Sequence, residues 1–271
     1  MPRGIGQLTS LENLSAFMVA KDNGVSKHSG RLGELRDLNN LRDVLRIMNL
    51  CSCPNLTSTP LIPSVQHLVL KNASKKSLKD ILKMKISVHP FLFFDFPSQL
   101  KILQIENIED LEFLPEELLT NLTSLQQLYI RYCPRITKVS SAFRHLTSLE
   151  HLVILACEEL DLSDSEDHSD MRWQYLRRLR VLQLVNLNKL ASIPKGLQHV
   201  PTLRKLTIQN CPNLISLLEW MGSLTALWIE ECPQLLERCK SNICVDWPKI
   251  AHIPNISIDD RWIQVNGCYK L

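Results

Sequence analysis

The segment LQQLYIRYCPRI, residues 125–136, decides the fold, because closely similar segments recur three more times along the chain. They are LEHLVILACEEL at 149–160, LRKLTIQNCPNL at 203–214 and LTALWIEECPQL at 224–235. Each fits the pattern Leu-x-x-Leu-x-Ile-x-x-Cys, and self-similarity at a short period is the signature of stacked repeats. The sequence therefore predicts a repeat architecture.

Less regular units extend the pattern in the direction of the N-terminus and between the clear repeats. Units with an aliphatic residue in place of the Cys begin at Leu100 and Leu179, and looser units begin at Leu41 and Val65. Between Leu100 and Leu224, successive units begin 25, 24, 30, 24 and 21 residues apart, within or next to the roughly 20–29 residues of leucine-rich repeats. We predict an α/β leucine-rich-repeat solenoid with a parallel sheet on its concave face and an irregular convex side.

We expect one leucine-rich-repeat domain over residues 1–271, of which 1–50 are degenerate N-terminal repeats. Residues 51–235 are the main repeats, with an acidic insertion at 158–171, and residues 236–271 are a C-terminal closing segment. The period is weakest around the Phe91 to Phe94 cluster. A degenerate repeat around Ile86 and Val88 is one interpretation of this interval, and an exposed apolar docking patch is the other.

The spacing also predicts which side chains face the solvent. If the Leu and Ile residues of Leu-x-x-Leu-x-Leu-x point inward, the third, fifth and seventh positions point outward, because successive strand residues face opposite sides. Outward positions in the middle repeats are short of charge and bordered by aromatic residues, as in an interface core. The candidate protein-binding residues are Tyr129, Arg131, Val153, Leu155, Val181, Val185, Gln209, Trp228 and Glu230.

The charges and cysteines argue against several other functions. The 31 basic and 28 acidic residues leave a formal charge of +3, which gives no general attraction for nucleic acid or an anionic membrane. Nine cysteines are an odd number for a disulfide framework, and four share one repeat position, so we expect reduced thiols. The N-terminus lacks the apolar run of a signal peptide, and no stretch reaches the roughly 18 apolar residues of a membrane span. We expect a cytoplasmic protein.

No motif predicts catalysis, a cofactor or a metal. Cys51-x-Cys53 lacks the second ligand pair of a structural zinc site. The acidic run at 158–171 lacks the Gly and terminal Glu of a calcium loop. No Ser or Cys lies in a nucleophile elbow, and no G-x-x-x-x-G-K-[ST] loop is present to hold ATP phosphates.

The Cys-containing segments quoted above resemble the repeats of plant coiled-coil, nucleotide-binding, leucine-rich-repeat disease-resistance proteins. PRGIGQLTSL at 2–11 is similar to the start of that family's repeat region, and DWPKIAHIPNI at 246–256 is similar to the segment that closes it. The resemblance implies a non-catalytic recognition module whose partner is a pathogen effector, a guarded host protein or a nucleotide-binding module. The alternative is a leucine-rich-repeat substrate receptor of a ubiquitin ligase, or another general protein-binding scaffold.

Overall fold

The computed structural model describes Gln7 and residues 14–18, 43–48, 65–82, 85–89, 92–95, 99–114, 116–120, 122–162, 173–219, 221–239 and 245–270. Among these residues, no helix has the length and apolar character needed to cross a membrane. Cys51, Cys53 and most of the acidic insertion lie outside the described residues.

Short strands dominate the described chain, and the few helices between them are brief. The strands are β1 Leu14–Met18, β2 Asp43–Met48, β3 Val65–Lys71, β4 Lys85–His89, β5 Leu92–Asp95, β6 Ile102–Glu106, β7 Gln127–Arg131, β8 His151–Leu155, β9 Val181–Val185, β10 Lys205–Gln209, β11 Ala226–Glu230, β12 Asn255–Ile258, β13 Arg261–Val265 and β14 Cys268–Tyr269. The α-helices are α1 Lys75–Leu82, α2 Glu116–Leu119, α3 Pro233–Cys239 and α4 Trp247–Ile250. Two 3-10 helices, Ser140–His145 and Lys195–His199, lie on the return side of their repeats.

Twelve of the strands form one sheet in the order β1-β2-β3-β6-β7-β8-β9-β10-β11-β12-β13-β14. Pairing is parallel from β1 to β12, and β13 and β14 add to the end in antiparallel orientation. From β6 to β11 each repeat is in register with the next, without a bulge. The predicted parallel-sheet solenoid is confirmed.

The repeat leucines form the core, since one repeat cannot enclose its own apolar side chains but a stack of repeats can. The second leucine of each unit lies opposite its counterparts on the neighbouring strands and is 0% exposed: Leu128, Leu152, Leu182, Leu206 and Leu227. Burying one such side chain contributes roughly 1.5–3 kcal/mol.

The four repeat cysteines are free thiols buried at the corner where each strand ends. The Sγ atoms of Cys133 and Cys232 lie 3.4 Å and 3.1 Å from the carbonyl oxygens two residues before them. Burial raises the pKa of Cys133 to about 11 and that of Cys157 to about 12. Both therefore stay protonated at neutral pH, where the thiol serves as a small apolar body with a weak donor.

A row of backbone hydrogen bonds joins the repeats immediately after each strand. The eighth residue of each repeat turns into the left-handed conformation, for example Asn107 with a φ of 54° and Tyr132 with a φ of 53°. Its N–H donates to the seventh-position carbonyl of the next repeat, as from Asn107 to Arg131 at 3.0 Å and from Tyr132 to Leu155 at 2.9 Å. The same bond recurs from Asn72, Ala156, Asn186 and Asn210.

Asparagine is frequent at this eighth position because it tolerates the left-handed conformation better than other residues with a side chain. Its amide adds a second link between repeats: Asn107 Nδ2 donates to Asn72 Oδ1 at 2.6 Å, and Asn210 Nδ2 donates to Asn186 Oδ1 at 3.1 Å. Tyr132 occupies the same position without this advantage, and its side chain is 49% exposed.

The interval between β3 and β6 does not contain the degenerate repeat that was one interpretation of it. β3 pairs directly with β6, while β4 and β5 pair with each other as a separate antiparallel sheet. The expectation of a degenerate repeat around Ile86 and Val88 is therefore wrong: this stretch doubles back on itself and adds no strand to the main sheet. The structure does not describe the burial of the Phe91 to Phe94 side chains, so the docking-patch interpretation stays a prediction.

A buried carboxylate ties the closing segment to the last repeats. Asp246 is 0% exposed, and its Oδ2 accepts from the Leu217 N–H at 3.1 Å. Its Oδ1 lies 3.2 Å from Arg238 Nη2 and 2.9 Å from Lys249 Nζ. Burial by itself would raise the pKa of Asp246, but the hydrogen bonds from Arg238, Lys249 and Leu217 outweigh it and lower that pKa below its ordinary value of 3.8.

Replacing Tyr132 with Asn should stabilise the fold by about 0.5–1 kcal/mol, because Asn relieves left-handed strain at an exposed position. Urea unfolding checks this. Replacing Tyr175, which is 39% exposed and has no positive φ, with Asn controls for removing an exposed aromatic ring and should bring no gain. A Tyr132→Asn protein less stable than the wild type would show that the tyrosine ring itself stabilises the turn.

Asp246→Asn should destabilise the chain by about 2 kcal/mol or more at neutral pH, because it removes the counter-charge of Arg238 and leaves Lys249 with only the exposed Glu219 at 2.8 Å. A lowered pKa in the folded state stabilises the protein above the ordinary aspartate pKa, and that contribution is lost as the pH falls through the folded value. The difference between wild type and variant should therefore shrink below the ordinary value of 3.8. Urea midpoints that differ equally at neutral and acidic pH would contradict this account.

Candidate protein-binding face

The outward side of the sheet consists of three straight rows of side chains, which we call the concave face. Because β6 to β11 are in register, residues at the same repeat position are neighbours. The third-position row is Ile102, Gln127, His151, Val181, Lys205 and Ala226. The fifth-position row is Gln104, Tyr129, Val153, Gln183, Thr207 and Trp228, and the seventh-position row is Glu106, Arg131, Leu155, Val185, Gln209 and Glu230.

All nine candidate residues lie on this face, and eight of them are half-buried. Val153 is the exception, at 8% exposure. Its register partners Tyr129 and Gln183 carry longer side chains, which stand on either side of it. The expectation that Val153 points freely into solvent is therefore corrected: it forms the floor of the face.

The structure brings the four aliphatic candidates together on two adjacent strands. Val153 and Leu155 lie on β8, and Val181 and Val185 lie on β9, with Leu155 directly opposite Val185. We call these four residues the apolar patch. An apolar surface that adjoins half-buried aromatic and charged residues matches the composition of interface cores.

Tyr129 and Arg131 form one border of the apolar patch and hold each other in place. The Tyr129 hydroxyl donates to Gln127 Oε1 at 2.8 Å. The Arg131 guanidinium carbon lies 4.8 Å from the centre of the Tyr129 ring, within the range of a cation–π contact. Beyond them, Lys71 Nζ and Glu106 Oε1 form an ion pair at 2.6 Å.

Trp228 lies on β11, with β10 between it and the apolar patch, and we call it the other border. It is less free than the repeat pattern indicates. Its ring meets the Trp262 ring edge-on, with 6.2 Å between the centroids. Both tryptophans lie next to Ser257, which pairs with each of them in the sheet and is 4% exposed. Trp262, at 48% exposure, extends the face beyond the repeats, and sequence analysis missed it because the antiparallel β13 lies outside the repeat period.

Glu230 lies two residues after Trp228 on β11, close to several other carboxylates. Partial burial, followed by the nearby carboxylates of Asp260, Glu231 and Asp259, raises the pKa of Glu230. In the part of the chain that the structure describes, no group of three or more His, Cys, Asp or Glu residues could hold a metal ion. The outward side chains described on this face are apolar, aromatic and ionic.

Leu155→Asp and Tyr129→Ala should each change the free energy of unfolding by less than about 1 kcal/mol, because both side chains stand on the solvent side of the sheet. Leu206→Asp on the inward side is the control, and it should cost about 3–5 kcal/mol by placing a charge in the core. Urea unfolding of the three proteins measures this. Equal losses in all three would refute the assignment of the two faces.

Comparisons with known proteins agree with the fold. In solved structures, the leucine-rich repeat domain of the type III effector XCV3220 (XopL) superposes with a TM-score of 0.51 at 16% identity, over 86% of this chain and 81% of that one. The Leptospira interrogans leucine-rich-repeat protein LIC12759 gives a TM-score of 0.48 at 18% identity, over 84% of this chain. The chain spans 57% of the length of that Leptospira protein.

No curated protein matches the chain in sequence. A family profile does match: the leucine-rich repeats of RPS2-like plant disease resistance proteins align with residues 64–233, more than half of the chain. The aligned residues include every strand from β6 to β11, and so the whole apolar patch and its borders. The chain therefore belongs to the family of RPS2-like plant disease resistance leucine-rich repeats.

Proposed function

We propose that this chain is the non-catalytic recognition region of a plant intracellular immune receptor, acting in the cytoplasm on a pathogen effector or a guarded host protein. Leucine-rich repeats of this family are protein-interaction modules, which supports the coarser part of the proposal. The finer part rests on the concave face, whose central strands carry apolar rather than charged side chains.

The observation that carries the proposal is the apolar patch together with its two borders. Leu155 and Val185 lie opposite each other on β8 and β9 and are half-buried. Tyr129 and Trp228, on opposite sides, are of the residue types that contribute most to binding energy at protein interfaces. A partner that covers the patch removes apolar area from water and finds rigid aromatic anchors at its edges.

The repeat architecture explains why recognition resides on this face. Inward positions are fixed by the core, whereas each outward position can change without disturbing the register. Strands separated by about 4.8 Å give a dense array of independently variable side chains. A module of this kind changes its partner through outward substitutions while its fold remains the same.

A photo-crosslinking residue placed at Leu155 tests the proposal in plant cell extract. A second protein carries the same residue at Ile215, which is apolar and 50% exposed but lies outside the concave face. We expect a defined protein to be captured from position 155 and not from position 215. The purified partner should then bind wild-type chain and lose about tenfold or more in affinity for Leu155→Asp.

Capture of the same proteins from both positions would mean that the contact is non-specific. Capture from position 215 only would place the recognition surface elsewhere, and the proposal would fail. Because Leu155→Asp leaves the core intact, its far-ultraviolet circular dichroism and urea midpoint serve as the check that lost binding is not lost folding.

A further inference from the structure

Five cations gather at one edge of the concave face, where β9 and β10 begin. They are Arg177, Arg178, Arg180, Arg204 and Lys205, all of them exposed. We call this group the basic edge. None of the five forms an ion pair with any residue of the described chain.

Backbone hydrogen bonds place three of these cations side by side. The N–H of Arg204 donates to the carbonyl of Arg180 at 2.9 Å, and the N–H of Lys205 donates to the same carbonyl at 2.9 Å. Arg180 and Arg204 therefore occupy equivalent positions on adjacent turns of the solenoid. Along the same row, the N–H of Arg180 donates to the carbonyl of Glu150, the acidic neighbour at one end.

The local sequence shows that the cations are particular to this part of the chain. The turn before the strand reads Leu-Thr-Ser-Leu at 122–125 and again at 146–149, but Leu-Arg-Arg-Leu at 176–179. Ser and Thr already satisfy the geometry of the turn in two repeats, so the fold does not require Arg177 and Arg178. The two exposed arginines here contact solvent, and they can attract a negatively charged molecule from it.

Arg204 is also held in one orientation. Its Nη1 donates to the carbonyl oxygens of Pro201, Leu203 and Ser223 at 2.8, 3.3 and 3.0 Å. These three hydrogen bonds fix the Arg204 side chain before any partner binds. Less rotamer entropy is therefore lost when the remaining guanidinium donors bind a carboxylate.

The basic edge adjoins the apolar patch without a gap. Lys205 lies directly opposite Val181 in the sheet, and Arg180 precedes Val181 in the chain. A ligand on the basic edge thus meets Val181 next, and Leu155 and Val185 further along the same strands. The chemistry that fits both is a carboxylate-bearing chain that also carries an apolar side chain.

Charge elsewhere on the face argues against a long polyanion. The C-terminal ends of β11 and β12, one and two strands beyond β10, carry Glu230, Glu231, Asp259 and Asp260. After burial, the carboxylates of Asp260, Glu231 and Asp259 raise the pKa of Glu230. A nucleic acid laid along the face would run from the basic edge into these carboxylates, whereas a short peptide segment would not. The basic edge itself spans only two repeats.

We propose that the basic edge and the adjoining apolar patch bind an acidic segment of a partner protein, with its carboxylates on Arg178, Arg180 and Arg204 and an apolar side chain over Val181. This rests on the concave face being the recognition surface, and it specifies the partner's chemistry. Ionic strength should weaken the contact, because salt screens the attraction between exposed charges, with a Debye length of about 8 Å at physiological ionic strength.

Fluorescence anisotropy with synthetic probes tests the proposal on the full chain. The main probe is a short labelled peptide in which Glu and Leu alternate, and the comparison probes replace Glu with Gln or replace the peptide with a single-stranded oligonucleotide of equal length. The variant Arg178→Glu/Arg180→Glu reverses the basic edge. The matched control, Arg135→Glu/Lys138→Glu, makes the same charge change at two exposed residues on the return side of another repeat.

We expect the Glu-Leu peptide to bind the wild type and the control variant alike, and to bind the edge variant at least tenfold more weakly. Equal binding to both variants, no binding to the wild type, or tighter binding of the oligonucleotide than of the peptide would each overturn the proposal. The partner captured through position 155 separates the two proposals. If it binds the edge variant with wild-type affinity but binds Leu155→Asp weakly, the concave face is the recognition surface and the proposal of an acidic segment is wrong.

Discussion

The row of hydrogen bonds from the eighth residue of each repeat to the carbonyl of the next is the interaction on which the rest of the structure depends. It forms where the chain leaves the strand in a left-handed conformation, with φ values near 50° from Asn72 to Glu231. At the last repeat the carboxylate of Asp259 replaces the carbonyl and accepts from the Glu231 N–H at 3.1 Å. Because the bond fixes each repeat against the next, the strands stay in register and the outward rows stay straight.

The outward rows are straight although the spacing between repeats varies. Units that begin 21 to 30 residues apart differ in the length of their return side. Their strands nevertheless pair residue by residue without a register shift. Variation in length is therefore confined to the side away from the concave face. The apolar patch, the aromatic borders and the basic edge each arise from the choice of side chains at given repeat positions, while the register of the strands stays the same.

Sequence periodicity predicted the inward-facing strand residues well, because Leu and Ile at a fixed spacing indicate which positions are buried. The four repeat cysteines were expected to be reduced because they share one repeat position, and the structure has them as buried free thiols. The left-handed turn was missed, since Asn appears at the eighth position in only some repeats, while Tyr132, Ala156 and Glu231 obscure the pattern. The recurrence of Asn at 72, 107, 186 and 210 was the available signal.

Features outside the period could not be predicted from it. The antiparallel pair β4–β5 and the hairpin that brings Trp262 to Trp228 are defined by contacts between segments that share no motif. The burial of Val153 depends on the size of its neighbours across two strands, which periodicity does not encode. The buried Asp246 likewise gains its role from three partners scattered over the closing segment and a preceding repeat.

Amide hydrogen exchange, followed residue by residue by NMR, tests the central claim most directly. The amides of Asn107, Tyr132, Ala156, Asn186 and Asn210 donate the inter-repeat bonds. If those bonds lock the register, these amides should exchange as slowly as the strand amides of β7 to β10 and with the same denaturant dependence, because both open in one cooperative step. Fast exchange at the five amides alongside protected strands would show that the strands hold their register without them.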